Sequence, residues 1–136
     1  MKREIVDLQE FVKEISETYG NRDVYRYLVE DKVVGKTFKE FERDVFAVSS
    51  WFVKAGWTGK HVAIIGSSSY NWVTTFLGIA CSANVAIPID KMLPAEEILN
   101  LLVMGDADAV FLSADHADLI PRIQNAQNKV QKVVCF

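Results

Sequence analysis

The sequence predicts an α/β fold: a layered, mostly parallel sheet flanked by helices, with an N-terminal helix and a β-hairpin ahead of it. Three observations carry this. From residue 61 onward, short apolar β-rich runs alternate with helical patterns, and regular strand–helix succession implies right-handed crossovers and a parallel sheet. Before residue 61 come a helix-period stretch, two extended runs around a polar tip, and a capped amphipathic helix. The 136 residues are 50% hydrophobic and 24% charged, which supplies one core and excludes a disordered tail or a collagen-like repeat.

The elements follow in order. Between Glu4 and Tyr19, the residues Ile5, Leu8, Phe11, Val12 and Ile15 fall at helical spacing, and Gly20-Asn21 supplies the stop. The runs Val24–Val29 and Val33-Val34, joined across Glu30-Asp31-Lys32, read as a hairpin. Thr37 and Glu40 form a capping box, in which each side chain satisfies a free N–H at a helix start. The helix they open carries Phe38, Phe41, Val45, Val48, Phe52 and Ala55 on one stripe and ends at Gly56.

His61-Val62-Ala63-Ile64-Ile65 reads as a strand covered on both faces. Gly66-Ser67-Ser68-Ser69 breaks it, and Tyr70 to Ala83 reads as an apolar helix. Val85–Pro88 is a second strand. Pro94 starts a helix with Glu96 and Glu97 at its positive end, Ile98, Leu101 and Leu102 on its apolar face, and Gly105 at its close. Ala109–Leu112 is a third strand, and Ser113 is expected to cap a helix running to about Gln127, kinked or divided by Pro121. Lys132–Phe136 is a fourth strand. A chain stopping on Val-Val-Cys-Phe without a polar tail is expected to be cut from something longer.

Charge and cysteine usage narrow the function. Eighteen acidic and fifteen basic side chains leave a net charge of −3, which argues against a nucleic-acid partner held through phosphates. Cys81 and Cys135 form no CxxC pair, and with His61 and His116 they give no zinc spacing. Both cysteines are expected as small buried hydrophobes in a reducing compartment. Met1-Lys2-Arg3-Glu4 places charges where a signal peptide needs apolar residues. The apolar run Phe76–Ile89 is too short for a transmembrane segment and contains Ser82 and Asn84. The expected location is cytoplasmic.

No stretch completes a catalytic constellation. The Gly66–Ser69 loop joins strand to helix, where free N–H groups favour anions, but it lacks the later glycines of GxGxxG. As a nucleophile elbow it has Gly66 and Ser68, with Tyr70 where the closing glycine belongs. A serine-rich N-cap is the plainer reading. Gly59-Lys60 fails as a phosphate loop, since Lys54 stands for its first glycine and His61 for its Ser/Thr. His116 beside Asp115 is a general base only if a nucleophile such as Ser68 comes within reach. Trp51, Trp57 and Trp72 read as packing residues, and Glu96-Glu97 as dipole partners.

Read together, several segments resemble the adenylate-forming (AMP-binding) enzymes. Thr37-Phe38-Lys39-Glu40-Phe41 resembles their T-Y-x-E-L segment, and Gly59–Ile65 their G-D-x-V-A-I strand. Tyr70-Asn71-Trp72-Val73 with Phe76-Leu77-Gly78 is similar to their P-E-W-V … F-L-G helix. Val85–Asp90 with Leu93–Ile98 is similar to V-x-V-P-L … L-P-x-E-E-L. The neighbourhoods of Trp72 and of Leu93–Glu97 look most like long-chain fatty acyl-CoA synthetases. Two positions depart: Asn84 stands where the family often has glycine, and Ser67-Ser68-Ser69 replaces an asparagine-containing loop.

The resemblance implies that residues 1–136 are a single N-terminal subdomain of a larger ligase, truncated after 136 and inactive alone. It implies a parent that joins a fatty acid to coenzyme A with Mg2+-ATP, through an acyl-adenylate, releasing AMP and pyrophosphate. The family's catalytic, nucleotide and metal motifs lie downstream of the matched region. No catalytic, cofactor-binding or metal residue is therefore carried over, and ATP, Mg2+ and coenzyme A belong to the parent rather than this piece. Expected partners are the remainder of the parent, a small carboxylic acid, and further copies of the fragment through apolar surface left uncovered. By the rule that ligands approach the carboxyl ends of parallel strands, loops 66–69 and 90–93 are the candidates for substrate or interdomain contact. The alternatives are a stand-alone α/β module binding a small anion or a protein, and an adenylating branch using aryl or amino acids.

Overall fold

The computed structural model describes residues 4–136; the charged start Met1-Lys2-Arg3 lies outside them. Helix α1 (Leu8–Tyr19) precedes a hairpin of β1 (Asp23–Val29) and β2 (Lys32–Thr37), then α2 (Phe38–Lys54). The sheet unit follows as β3 (His61–Ile65), α3 (Tyr70–Cys81), β4 (Val85–Ile89), α4 (Ala95–Met104), β5 (Ala109–Leu112), α5 (Leu119–Asn125) and β6 (Lys132–Cys135). The four sheet strands run parallel in the order β4-β3-β5-β6.

Local chemistry sets most boundaries. Helix α1 starts at Leu8, later than its apolar spacing suggests, because the Asp7 carboxylate accepts the Glu10 N–H at 2.8 Å. The hairpin is longer than expected and closes through Glu30 and Asp31, both at positive φ, which gives the turn a twist matching the strands. At α2 the capping box forms as read, with the Thr37 N–H donating to Glu40 at 2.8 Å and the Glu40 N–H to Thr37 Oγ1 at 3.2 Å.

Two expectations fail. The helix expected from Ser113 to Gln127 is instead a 3-10 turn (Ala114–His116) and the separate α5. Pro121 neither kinks nor divides it, since it stands in the first turn of α5, where an N–H has no helical partner anyway. The Ser113 hydroxyl makes no helix cap and bonds the Asp115 carboxylate instead. Cys81 is buried as expected, but Cys135 is exposed because β6 is an edge strand.

Strand alternation divides the core. Val62 and Ile64 of β3, with Ala109 and Phe111 of β5, face Phe52 of α2 and Ile79 of α3. Ala63, Ile65, Val110 and Leu112 face Ile98 and Leu102 of α4 and Leu119 and Ile123 of α5. Full burial of one such side chain is worth about 1.5–3 kcal/mol. A third cluster, Val12, Phe41, Val45, Tyr70 and Cys81, joins α1, α2 and α3. Gly78 lets α2 and α3 touch, since a Cβ there would stand 2.5 Å from Val48.

Candidate functional site

Parallel pairing of β4, β3 and β5 brings the loops after them side by side at the carboxyl edge of the sheet. The Lys91 ammonium donates to Ser67 Oγ at 2.6 Å, and Ser67 reaches Asp115 through a long 3.5 Å bond. Ser113 donates to the same carboxylate, and His116 Nδ1 stands 3.1 Å from it. The Ser113 hydroxyl and the His116 ring together hold the Asp115 carboxyl down to about 2. Gly66 makes the approach possible: a Cβ there would lie 2.7 Å from Ser113 Oγ and 3.3 Å from the Phe136 ring. Asp90 shapes the remaining loop by accepting the Met92 N–H at 2.9 Å.

Loops 66–69 and 90–93 thus meet, and the 113–116 turn, which the sequence marks as a helix start holding the candidate base His116, joins them. No hydrolytic relay results. Ser113 and Asp115 both address Nδ1 of His116, whereas a serine relay needs the nucleophile and the carboxylate on opposite ring nitrogens. Ser68 is exposed and lines a separate cavity with Tyr25, Tyr27, Lys36, Asp44, Tyr70 and Asn71. Ser69 is spent as the N-cap of α3, accepting the Trp72 N–H at 3.1 Å.

The amino end of the sheet takes His61 out of consideration. Its Nδ1–H donates to the Gly105 carbonyl at 2.7 Å, and its backbone N–H to Asp108 at 2.8 Å. Burial opposes charge on Asp108, but that N–H and the Lys129 ammonium hold its carboxyl below the ordinary value. Asn84 accepts the Lys60 N–H at 2.9 Å and donates to Trp57 O and Ser82 Oγ. The left-handed residue of that turn is Ala83. Lys60 lies 5.9 Å over the Trp57 ring. Trp72 stacks on Phe76, and Trp51 meets Phe52 and Phe111 edge-on. Glu96 and Glu97 occupy the first turn of α4.

Among the described residues no cluster of three or more His, Cys, Asp or Glu side chains has the grouping to hold a metal ion. Nor is any helix of the described residues long and apolar enough to cross a membrane.

A family profile described as "AMP-binding enzyme" matches residues 12–136, taking in the sheet and all three loops. The chain belongs to the AMP-binding enzyme family. Its similarity to the probable CoA ligase CCL8 of Humulus lupulus is 31% identity over 65 residues, covering 48% of this chain and 11% of that protein. Its fold matches the N-terminal domain of FACL13 from Mycobacterium tuberculosis with a TM-score of 0.85 at 18% identity, over 97% of this chain and 34% of that one. A benzoate CoA ligase from Burkholderia xenovorans LB400 matches with a TM-score of 0.79 at 15% identity, over 96% of this chain and 26% of that one. The chain thus spans about a third or less of the proteins it resembles.

Proposed function

We propose that residues 1–136 form the N-terminal scaffold subdomain of a larger, cytoplasmic AMP-forming acid–thiol ligase. The parent converts a fatty acid, ATP and coenzyme A into acyl-CoA, AMP and pyrophosphate, using Mg2+. The match of residues 12–136 to the AMP-binding profile carries this reading. The Trp72 and Leu93–Glu97 neighbourhoods favour a long-chain acid. The benzoate ligase, at a TM-score of 0.79, favours an aryl acid as the second reading, since both kinds of enzyme share this fold.

In this reading the chain is inert alone, and its carboxyl edge meets the substrate or the rest of the parent. ATP–pyrophosphate exchange on the protein encoded by the full reading frame is expected to depend on a long-chain fatty acid, with residues 1–136 alone at background. Exchange driven by benzoate and not by fatty acid transfers the assignment to the aryl branch. Turnover by residues 1–136 alone, or a reading frame that ends at Phe136, overturns the proposal. Leu28, Val33, Met92, Val103 and Met104 stand largely in solvent, so the isolated chain is expected to self-associate. A monodisperse monomer in light scattering counts against a surface shaped to be covered.

A further inference from the structure

The hairpin and the first turn of α3 enclose a cavity of about 510 Å3 on the side of loop 66–69 away from Asp115, a volume within the ordinary range for small-molecule sites. Its walls follow from strand register. Tyr25 pairs with Lys36 across the hairpin, so both project from one face, and Tyr27, two residues along β1, joins them. The register is irregular between Asp23 and Tyr25, and such irregularities re-aim the following side chains. Opposite stands Tyr70, its ring 5.8 Å from Tyr25. Ser68, exposed at the mouth, and Asn71 supply polar groups.

Charge in this cavity is unevenly compensated. Asp44 is neutralised: one oxygen takes the Arg43 guanidinium at 2.9 Å and the other the Tyr70 hydroxyl at 2.8 Å. Glu40 is turned to the Thr37 hydroxyl and N–H. Lys36 lies 5.4 Å over the Tyr70 ring, and among the described residues no carboxylate comes within 4.0 Å of its ammonium. Three phenol rings offer stacking and edge contacts to a flat aromatic ring, and Lys36, which has no direct ion pair among the described residues although its charge acts on Glu40, offers its ammonium to an acid group at that ring's edge.

We propose that this cavity binds a planar aromatic anion, its ring against Tyr25, Tyr27 and Tyr70 and its charge on Lys36. The inference is independent of the ligase reading. The test is NMR titration of the chain with 1-naphthoate, following tyrosine ring signals. Saturable shifts of Tyr25, Tyr27 and Tyr70 are expected. Cyclohexanecarboxylate (anionic, not flat) and naphthalenemethanol (flat, neutral) are each expected to bind about tenfold more weakly. Lys36→Ala is expected to weaken naphthoate about tenfold, and Lys36→Arg to restore it. No saturable shift at millimolar naphthoate, shifts confined to rings outside the cavity, or equal binding of all three probes overturns the proposal. Should Lys36→Ala fail to fold, the three-probe comparison on the unsubstituted chain decides.

Discussion

The two ends of the parallel sheet use polar side chains in opposite ways. At the amino end, Asn84 and Asp108 are buried, at 8% and 6% exposure, and each accepts a backbone N–H from the residues entering β3. At the carboxyl end, half-buried Lys91, Ser67, Ser113 and His116 and exposed Asp115 bond to one another. The first arrangement ties strand starts together, and removing a member strands a buried donor. The second leaves its groups partly in reach of water. Position in a parallel sheet therefore separates polar groups that tie backbone from polar groups that bond chiefly to one another.

The largest expected effect lies at the amino end. Asp108→Ala leaves the His61 N–H without its acceptor and is expected to cost about 2 kcal/mol in denaturant unfolding, with Asp108→Asn recovering part of it. A loss under 0.5 kcal/mol, on the scale of about 1–3 kcal/mol for an unpaired buried group, breaks the contrast. Asn84→Gly removes three hydrogen bonds and is expected to cost about 1–2 kcal/mol.

At the carboxyl end, Gly66→Ala drives a methyl into Ser113 and is expected to cost about 1 kcal/mol, with perturbed His116 ring signals in NMR. Lys91→Ala is expected to stay within about 0.5 kcal/mol of the unsubstituted stability, and to slow exchange by the proposed parent ligase about tenfold. A large stability loss here makes the two ends alike.

The smallest effect is in pH. Asp108 and Asp115 both have folded pKa values below their ordinary ones. Their contributions are complete above the ordinary carboxylate pKa of about 4 and fade as pH falls through the folded values. For Asp115 that fading runs from the ordinary value down to about 2. Replacing either by Asn is expected to flatten the acid limb of a stability–pH curve. An acid limb unchanged by Asp108→Asn breaks the structural role assigned to the amino end.

Legibility from the chain followed distance along it. The Thr37–Glu40 box spans three residues and was readable, as were the β-branched run of β3 and the start of α4 after Pro94. Ser113 was misread because a hydroxyl before a helical pattern looks like a cap, while the Asp115 carboxylate and the close approach at Gly66 claim it instead. Cys135 was misread because alternation marks a strand without saying that it lies at an edge. Lys91 meets Ser67 across 24 residues and Asp108 meets His61 across 47, and no local pattern encodes either pair.

By itself the sequence determined the element order, the parallel sheet and the segments that resemble the AMP-binding enzymes. Periodicity, caps and turn residues act within a few positions and are written in the chain. Only the tertiary structure decided which loops share an edge, which carboxylates are buried, and that Tyr25, Tyr27 and Lys36 line one cavity opposite Tyr70. Those outcomes depend on strand order and register, which hydrophobic packing on both sheet faces selects and no short stretch can specify.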